Sequence, residues 1–343
     1  MTSVLQPVLL PMNRPTPRPY RGGSAIEGFR RQAPSGDEWA PEDFLASTVT
    51  TFGSTEEGLT VVDGRFLRDL IEADPVGYLG EEHVARFGAD PQLLCKLLHT
   101  GERLFVHAHP DALFARRELG APTGKTEAWV ILAADETAGS SAWLGFTEDV
   151  PEEQLTRWFD TQDSAAMLAA MNEVELHPGD TLFVPAGVPH AIGEGVLLLE
   201  LQEPADLSVI LEYAPFERLR REDGLLGLDP ATALRCVDRR AFGPARLADA
   251  VGALSGRSRA TLFPEDAQSY FRAEALALRH GVEEHLSARF CVLVVTAGAG
   301  SLAWRDDRLA LEAGDVVLVP HGAGEVRLSG DMRVTRCMPP SAA

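Results

Sequence analysis

The chain has 343 residues, 45% hydrophobic and 24% charged, enough length and apolar content to bury a large core in one or two domains. A formal net charge of -20 excludes an extended nucleic-acid surface, which needs a basic footprint, and leaves room only for a basic pocket for one small anion. Cys95, Cys236, Cys291 and Cys337 lie far apart without a CxxC pair, the pattern of reduced thiols in a cytoplasmic protein and not of a zinc ribbon.

Residues 1–60 read as extended segments and turns, because Pro11, Pro15, Pro17 and Pro19 oppose a helix and Gly22 and Gly23 mark a tight turn. The apolar run near the start is short and has no basic segment ahead of it. A signal peptide and a membrane helix are therefore not expected, and the expected location is cytoplasmic. Residues 63–87 turn helical, with Leu67, Leu70 and Ile71 at helical spacing. PQLLCKLLHTGERLFVHAHP then runs from an apolar strand through a turn into a second strand. The loop ELGAPTGKTE leads to a buried strand, AWVILAAD, and residues 152–172 read as helix. VELHPGDTLFVPAGVPHAIGEGVLLLELQE reads as short strands joined by Gly/Pro turns, the signature of a β-barrel. Residues 215–255 are charged and helical, suited to the outside of the barrel, and strands resume beyond Tyr270.

Two stretches carry chemistry. In GERLFVHAHP, residues 101–110, strand alternation puts His107 and His109 on one face, where both imidazoles can meet one metal. In GDTLFVPAGVPH, residues 179–190, Gly179, Pro185, Gly187 and His190 complete a second half-motif. The two spacings, in this order, are the paired motifs of the cupins, metal-bearing small β-barrels. Gly314, Pro320 and Gly322 repeat the spacing of Gly179, Pro185 and Gly187, but Glu325 stands where His190 stands and His321 reads as a surface residue. The expected fold is mainly β: two cupin-type barrels, the second degenerate and metal-free, with added helical segments. Residues 1–214 would form the metal-binding barrel, 215–260 a helical connector and 261–343 the second barrel.

Glu127 completes the ligand set His107, His109, Glu127 and His190, because it opens an apolar strand where an unpaired carboxylate is costly. Three imidazoles and a carboxylate suit zinc, iron, manganese or nickel. Lys96 and Lys125 are the only lysines among 31 basic residues, and each lies beside a ligand-bearing segment. Lysine shifts its pKa on burial and can carry a proton, which arginine does poorly.

The series LLCKLL, RLFVHAHPD, GKTEAWVIL and PGDTLFVPAGVPHAIGEGVLLLELQ, over roughly residues 90–210, resembles the type I phosphomannose isomerases, zinc-dependent cupins that interconvert mannose 6-phosphate and fructose 6-phosphate. The resemblance implies that His109, Glu127 and His190 are ligands, with His107 where a glutamine is usual. It matches Lys125 to the lysine of the GKTE motif, and Glu200 and Asp206 to acidic residues of the active site. The family arginine four residues beyond Asp206 is replaced by Ile210, and the family serine two residues before the glutamine is replaced by Phe105.

Aldose–ketose exchange moves a proton between adjacent carbons through an enediol, and a divalent metal lowers the cost of charge on the two oxygens. The expected activity is that of a metal-dependent isomerase holding one divalent metal, zinc, with Lys125, Glu200 and Asp206 as the acting groups. Alternation in VLLLELQ puts Leu198, Glu200 and Gln202 on one face, so Glu200 is either the base or a partner that orients a ligand histidine. Lys96 and Arg103 are expected to bind the sugar or sugar phosphate. The alternatives are an isomerase of an unphosphorylated aldose such as mannose or lyxose, a three-His, one-Glu cupin dioxygenase or decarboxylase, and a sugar-binding regulator. No nucleic-acid or membrane partner is expected.

Overall fold

A computed structural model describes residues 5–135, 140–254 and 259–342. The first barrel is formed by two antiparallel sheets. One has the strand order Val251–Ala253, Asp180–Val184, Glu127–Ala133, Leu197–Gln202, Leu94–His99, Glu42–Leu45; the other runs Val209–Ile210, His107–Ala108, His190–Ile192, Ser141–Phe146, Met171–Glu175. The two-residue period sorts the side chains. Trp129, Ile131, Leu182 and Leu198 point inward to meet Leu144, Ile192 and Ile210 of the opposite sheet. Cys95, Leu97, Val130, Leu199 and Leu201 point backward onto Val292, Val294, Val316 and Leu318 of the second barrel. Burial on both faces explains why LLLELQ reads as an almost unbroken apolar run.

The second barrel repeats the strand order of the first. Val316–Val319, Cys291–Trp304, Val326–Met338, Arg272–Leu278 and Arg259–Thr261 follow one another as do Asp180–Val184, Glu127–Ala133, Leu197–Gln202, Leu94–His99 and Glu42–Leu45. The duplication extends to the turns. Gly179 and Gly314 both have positive φ, +98° and +89°. Beside them Asp180 Oδ2 accepts from the His177 amide at 2.8 Å, and Asp315 Oδ2 from the Glu312 amide at 2.9 Å. The copies part after the proline. Gly322 lies in a 3-10 turn, His321–Ala323, and Glu325 sits on the surface against His285 Nδ1 at 3.0 Å. His321 is half-buried rather than freely exposed, because its ring packs on the backbone of Gly80.

The segment before residue 60 is extended except for a helix, Ser24–Phe29, that sequence reasoning read as extended chain. Six residues without proline follow Gly23, and full burial of Ile26 holds the single turn and a half in place. The same segment lends Val8–Leu9 to the edge of the second barrel and Glu42–Leu45 to the edge of the first. The expected helical stretch 63–87 forms three short helices, Leu67–Ala73, Pro75–Leu79 and Glu81–Phe87. They are divided at Asp74, which caps the second by accepting from the Gly77 amide, and at Gly80.

Residues 152–172 form the helices Glu152–Thr161 and Ser164–Ala169 and then enter a strand at Met171. Residues 215–255 are less helical than expected. Gly224, Gly227, Pro230, Gly243 and Pro244 cut the stretch into a 3-10 turn and the helices Pro230–Leu234 and Pro244–Ala250, followed by the strand Val251–Ala253. Position 255 lies outside the described residues. Leu225, Leu226, Ala233 and Leu234 from this stretch cover the outer face of the first barrel at Val106, Ala108 and Val209. No helix among the described residues is long and apolar enough to cross a membrane.

Candidate metal centre and active-site cavity

His107 and His190 face each other across paired strands, and their rings lie 4.0 Å apart. His109 stands 4.9 Å from each. The ligating nitrogens of the three all lie within 4.8 Å of one another. Each Nδ1 meets a backbone carbonyl: Phe105 at 2.9 Å for His107, Leu207 at 2.8 Å for His109 and Val188 at 3.0 Å for His190. A carbonyl only accepts, so each Nδ1 carries the proton and each Nε2 presents a lone pair inward.

Glu127 closes the group from the opposite sheet. Its Oε2 lies 2.9 Å from His109 Nε2 and its Oε1 3.2 Å from His190 Nε2, while Trp129 Nε1 donates to Oε1 at 3.0 Å and fixes the carboxylate plane. All four residues are buried. Burial, the other histidines and Lys125 hold His107 well below the ordinary imidazole value. Burial and Lys125 push His109 down to about 3. Burial alone would raise Glu127, but Lys125 and His109 outweigh it and keep the carboxylate ionised.

Neutral imidazole lone pairs and one carboxylate therefore converge; His190 Nε2 has no hydrogen-bond partner, and Glu127 Oε2 is met by the Lys125 ammonium at 3.0 Å. Buried acceptors facing one another are costly unless a cation lies between them, and this donor set suits a divalent transition metal. The chain's residues fit the metal that the motifs imply.

The metal centre forms the floor of a cavity of about 140 Å³. Lys125 Nζ reaches down to 3.0 Å from both His109 Nε2 and Glu127 Oε2. Lys96 is buried in the wall, 3.3 Å from Asp206 Oδ1, 3.5 Å from Glu42 Oε2 and 3.9 Å from Glu200 Oε1. Burial would lower its pKa, and these carboxylates raise it instead. Glu200 faces inward as alternation requires. Burial and the Glu127 charge push it up to about 7, against the pull of Lys125 and Lys96. Asp206 goes the other way: despite burial, Arg18 and Lys96 hold it far below the usual carboxylate range.

Lys96, His107, Lys125, Glu127, His190, Glu200 and Asp206 thus all line the cavity, and His109 closes the metal group beneath. Arg103 does not join them. Its guanidinium makes a bidentate pair with buried Glu212 and lies over the Phe216 ring.

Sequence reasoning missed Arg18, Tyr20 and Glu42, which enter the wall from the N-terminal segment. Arg18 donates twice to Asp206, at 3.0 Å each, and its Nε lies 3.3 Å from Glu42 Oε1; Tyr20 donates to the same oxygen at 2.7 Å. Arg18 and Asp206 are 188 positions apart. The one local cue was Glu42 and Asp43 inside an otherwise apolar run, since buried carboxylates need a partner.

No family model matches the chain. The mannose-6-phosphate isomerase of Streptococcus mutans is 27% identical over 266 residues, 76% of this chain and 79% of that protein. The chain resembles the mannose-6-phosphate isomerases over most of its length. The crystal structure of the Bacillus subtilis mannose 6-phosphate isomerase is 20% identical, with a TM-score of 0.74 over 97% of this chain and 99% of that one. A mannose 6-phosphate isomerase crystallised with zinc and yttrium is 16% identical, with a TM-score of 0.72 over 98% of this chain and 100% of that one. At these identities the structures establish the shared cupin architecture.

Within that mannose-6-phosphate isomerase frame, Phe105 and Ile210 are both cavity walls. The Phe105 ring meets Tyr20, His107 and Phe216 edge-on, so apolar packing occupies the place where the resemblance implied a hydroxyl.

Proposed function

We propose that the protein is a metal-dependent aldose–ketose isomerase that interconverts mannose 6-phosphate and fructose 6-phosphate. One observation carries the reading: three inward Nε2 lone pairs and the Glu127 carboxylate meet at the cavity floor, beside two buried proton carriers, Lys125 and Glu200. His107, His109, Glu127 and His190 would hold one divalent metal, and zinc suits the set. When bound, that metal supplies Lewis-acid stabilisation of the two sugar oxygens.

Glu200, poised near neutrality, takes the proton from the carbon beside the carbonyl and returns it to the neighbouring carbon. Lys125 supplies a proton and positive charge at the oxygens. Asp206 anchors Arg18 and Lys96, and Phe105, Leu104 and Ile210 exclude water from the enediol. The buried free cysteines accord with a reducing, cytoplasmic setting.

A second reading has a specific observation behind it. Each cation lining the cavity is already paired: Arg18 with Asp206 and Glu42, Lys96 with three carboxylates, Lys125 with Glu127. That arrangement favours an unphosphorylated aldose. Both readings are tested on chelator-stripped and zinc-reloaded protein given mannose 6-phosphate, mannose and lyxose in parallel. Metal-dependent turnover of mannose 6-phosphate supports the first reading. Turnover of a free aldose alone replaces it with the second, and silence on all three sugars removes both.

A further inference from the structure

The two barrels can be superimposed residue by residue through their strand registers. Val184 and Val319, each just before its motif proline, pair with Glu127 and Cys291. Two residues on, Trp129 pairs with Glu200 and Leu293 with Arg336. Glu200 in turn faces Lys96, and Arg336 faces Glu274. On the last strand Glu42 lies opposite Leu98 and Arg259 opposite Leu276, each two positions beyond the central residue.

Position for position, Glu42, Lys96 and Glu200 of the first barrel correspond to Arg259, Glu274 and Arg336 of the second. Every sign is inverted. In the first barrel a central cation lies 3.5 and 3.9 Å from two carboxylates; in the second a central carboxylate lies 2.8 and 3.6 Å from two guanidinium groups.

The inverted network runs from the surface at Arg259 through half-buried Glu274 to buried Arg336. Leu276 and Leu278 continue the face of Glu274, and Val334 and Met338 flank Arg336 on the same face, all within the apolar core of the second barrel. The network borders a cavity of about 230 Å³, into which Arg272 and Arg289 add two more cations. Arg336 is 3% exposed, yet its Nε has no hydrogen-bond partner. Arg289 makes no hydrogen bond or ion pair among the described residues. Burial and the charges of Arg289 and Arg336 push Arg272 down to about 10, against the pull of Glu274, as expected where cations outnumber their counter-ions. Of the four arginines only Arg259 and Arg336 pair with carboxylates, Arg259 with Glu274 and Glu284 and Arg336 with Glu274, in a chain whose net charge is -20.

We propose that the second barrel is a binding site for a phosphate-bearing small molecule, held by Arg272, Arg289 and Arg336 at the place that corresponds to the sugar cavity of the first. Guanidinium groups match phosphate oxygens in forked, charge-assisted pairs, and a dianion relieves repulsion among the arginines. The degenerate barrel has thereby exchanged a cation centre for an anion centre on one scaffold.

Calorimetric titration of inorganic phosphate into the metal-loaded full chain, at ionic strength fixed with chloride, tests this without reference to turnover. The expected result is one phosphate per chain, about tenfold or more weaker in Arg289→Ala and Arg336→Gln, and tighter in Glu274→Gln. Arg289→Ala should leave isomerase activity unchanged. Because Arg289 supports no other group, that variant decides the matter even where Arg336→Gln fails to fold. Absence of binding, or an affinity that neither Arg289→Ala nor Glu274→Gln moves, overturns the proposal; the second outcome places the phosphate in the catalytic cavity.

Discussion

The Lys125 ammonium stands 3.0 Å from Nε2 of His109, in direct contact with a ligating atom. It also touches Glu127 Oε2, so one cation serves both a neutral ligand and a charged one. Replacement by methionine keeps the bulk and removes the proton. Lys125→Met is expected to lower kcat by about 10²- to 10⁴-fold while bound metal per chain stays at the wild-type level. Loss of metal in parallel with activity would instead make Lys125 a support for the centre.

Trp129 reaches the same centre indirectly, through its 3.0 Å bond to Glu127 Oε1. Trp129→Phe removes that donor with little change of shape. Competition against a chelator should show metal affinity reduced by about 10- to 100-fold, the usual cost of losing a partner that orients a ligand. Unchanged affinity would mean that His190 and Lys125 suffice to hold the carboxylate.

Glu200 links pH to both rate and stability. Its folded-state pKa, raised from 4.5 to about 7, means that the native chain holds this proton more tightly than the unfolded chain does. Its stabilising contribution is therefore complete below 4.5 and disappears as pH rises through about 7. Urea midpoints on chelator-treated protein should fall between about pH 5 and about pH 8 in the wild type and fall less in Glu200→Gln. The same variant should lose turnover, and with it the rise of kcat/KM with pH through about 7.

Arg18 and Asp206 form a bidentate pair across the cavity wall, with side chains 17% and 8% exposed. Arg18→Leu leaves Asp206 charged and half-partnered, at a cost of about 3–5 kcal/mol. The double variant Arg18→Leu/Asp206→Asn should be more stable than Arg18→Leu alone. A double-mutant cycle that shows no coupling would assign the pair a purely local role.

What could be read from the sequence and what could not divide along the distance over which each feature is encoded. His107 and His109 were legible because strand alternation is a two-residue rule, and the turn glycines because positive φ is demanded locally. Glu200 followed from the same alternation. Arg18 was not legible: its partner lies 188 positions away in the sequence, and nothing between Pro17 and Pro19 announces it. Arg103 misled for the converse reason, since its position beside the motif says nothing about Glu212, which captures it. The helix Ser24–Phe29 depends on the burial of Ile26 more than on its own periodicity, whereas the breaks after residue 215 are local, set by Gly224, Gly227, Pro230, Gly243 and Pro244.

The N-terminal segment has a consequence for dissecting the molecule. Val8 and Leu9 are stitched to Val317 and Leu318, Arg18 and Tyr20 wall the cavity, and Glu42–Leu45 completes the edge of the first barrel. A cut in the connector is expected not to free an autonomous catalytic half. The fragment that keeps the metal ligands would carry two edge residues whose partners have departed, and would expose Leu97, Val130 and Leu199 to water. The two barrels share one apolar cluster, and the N-terminal segment completes an edge of each.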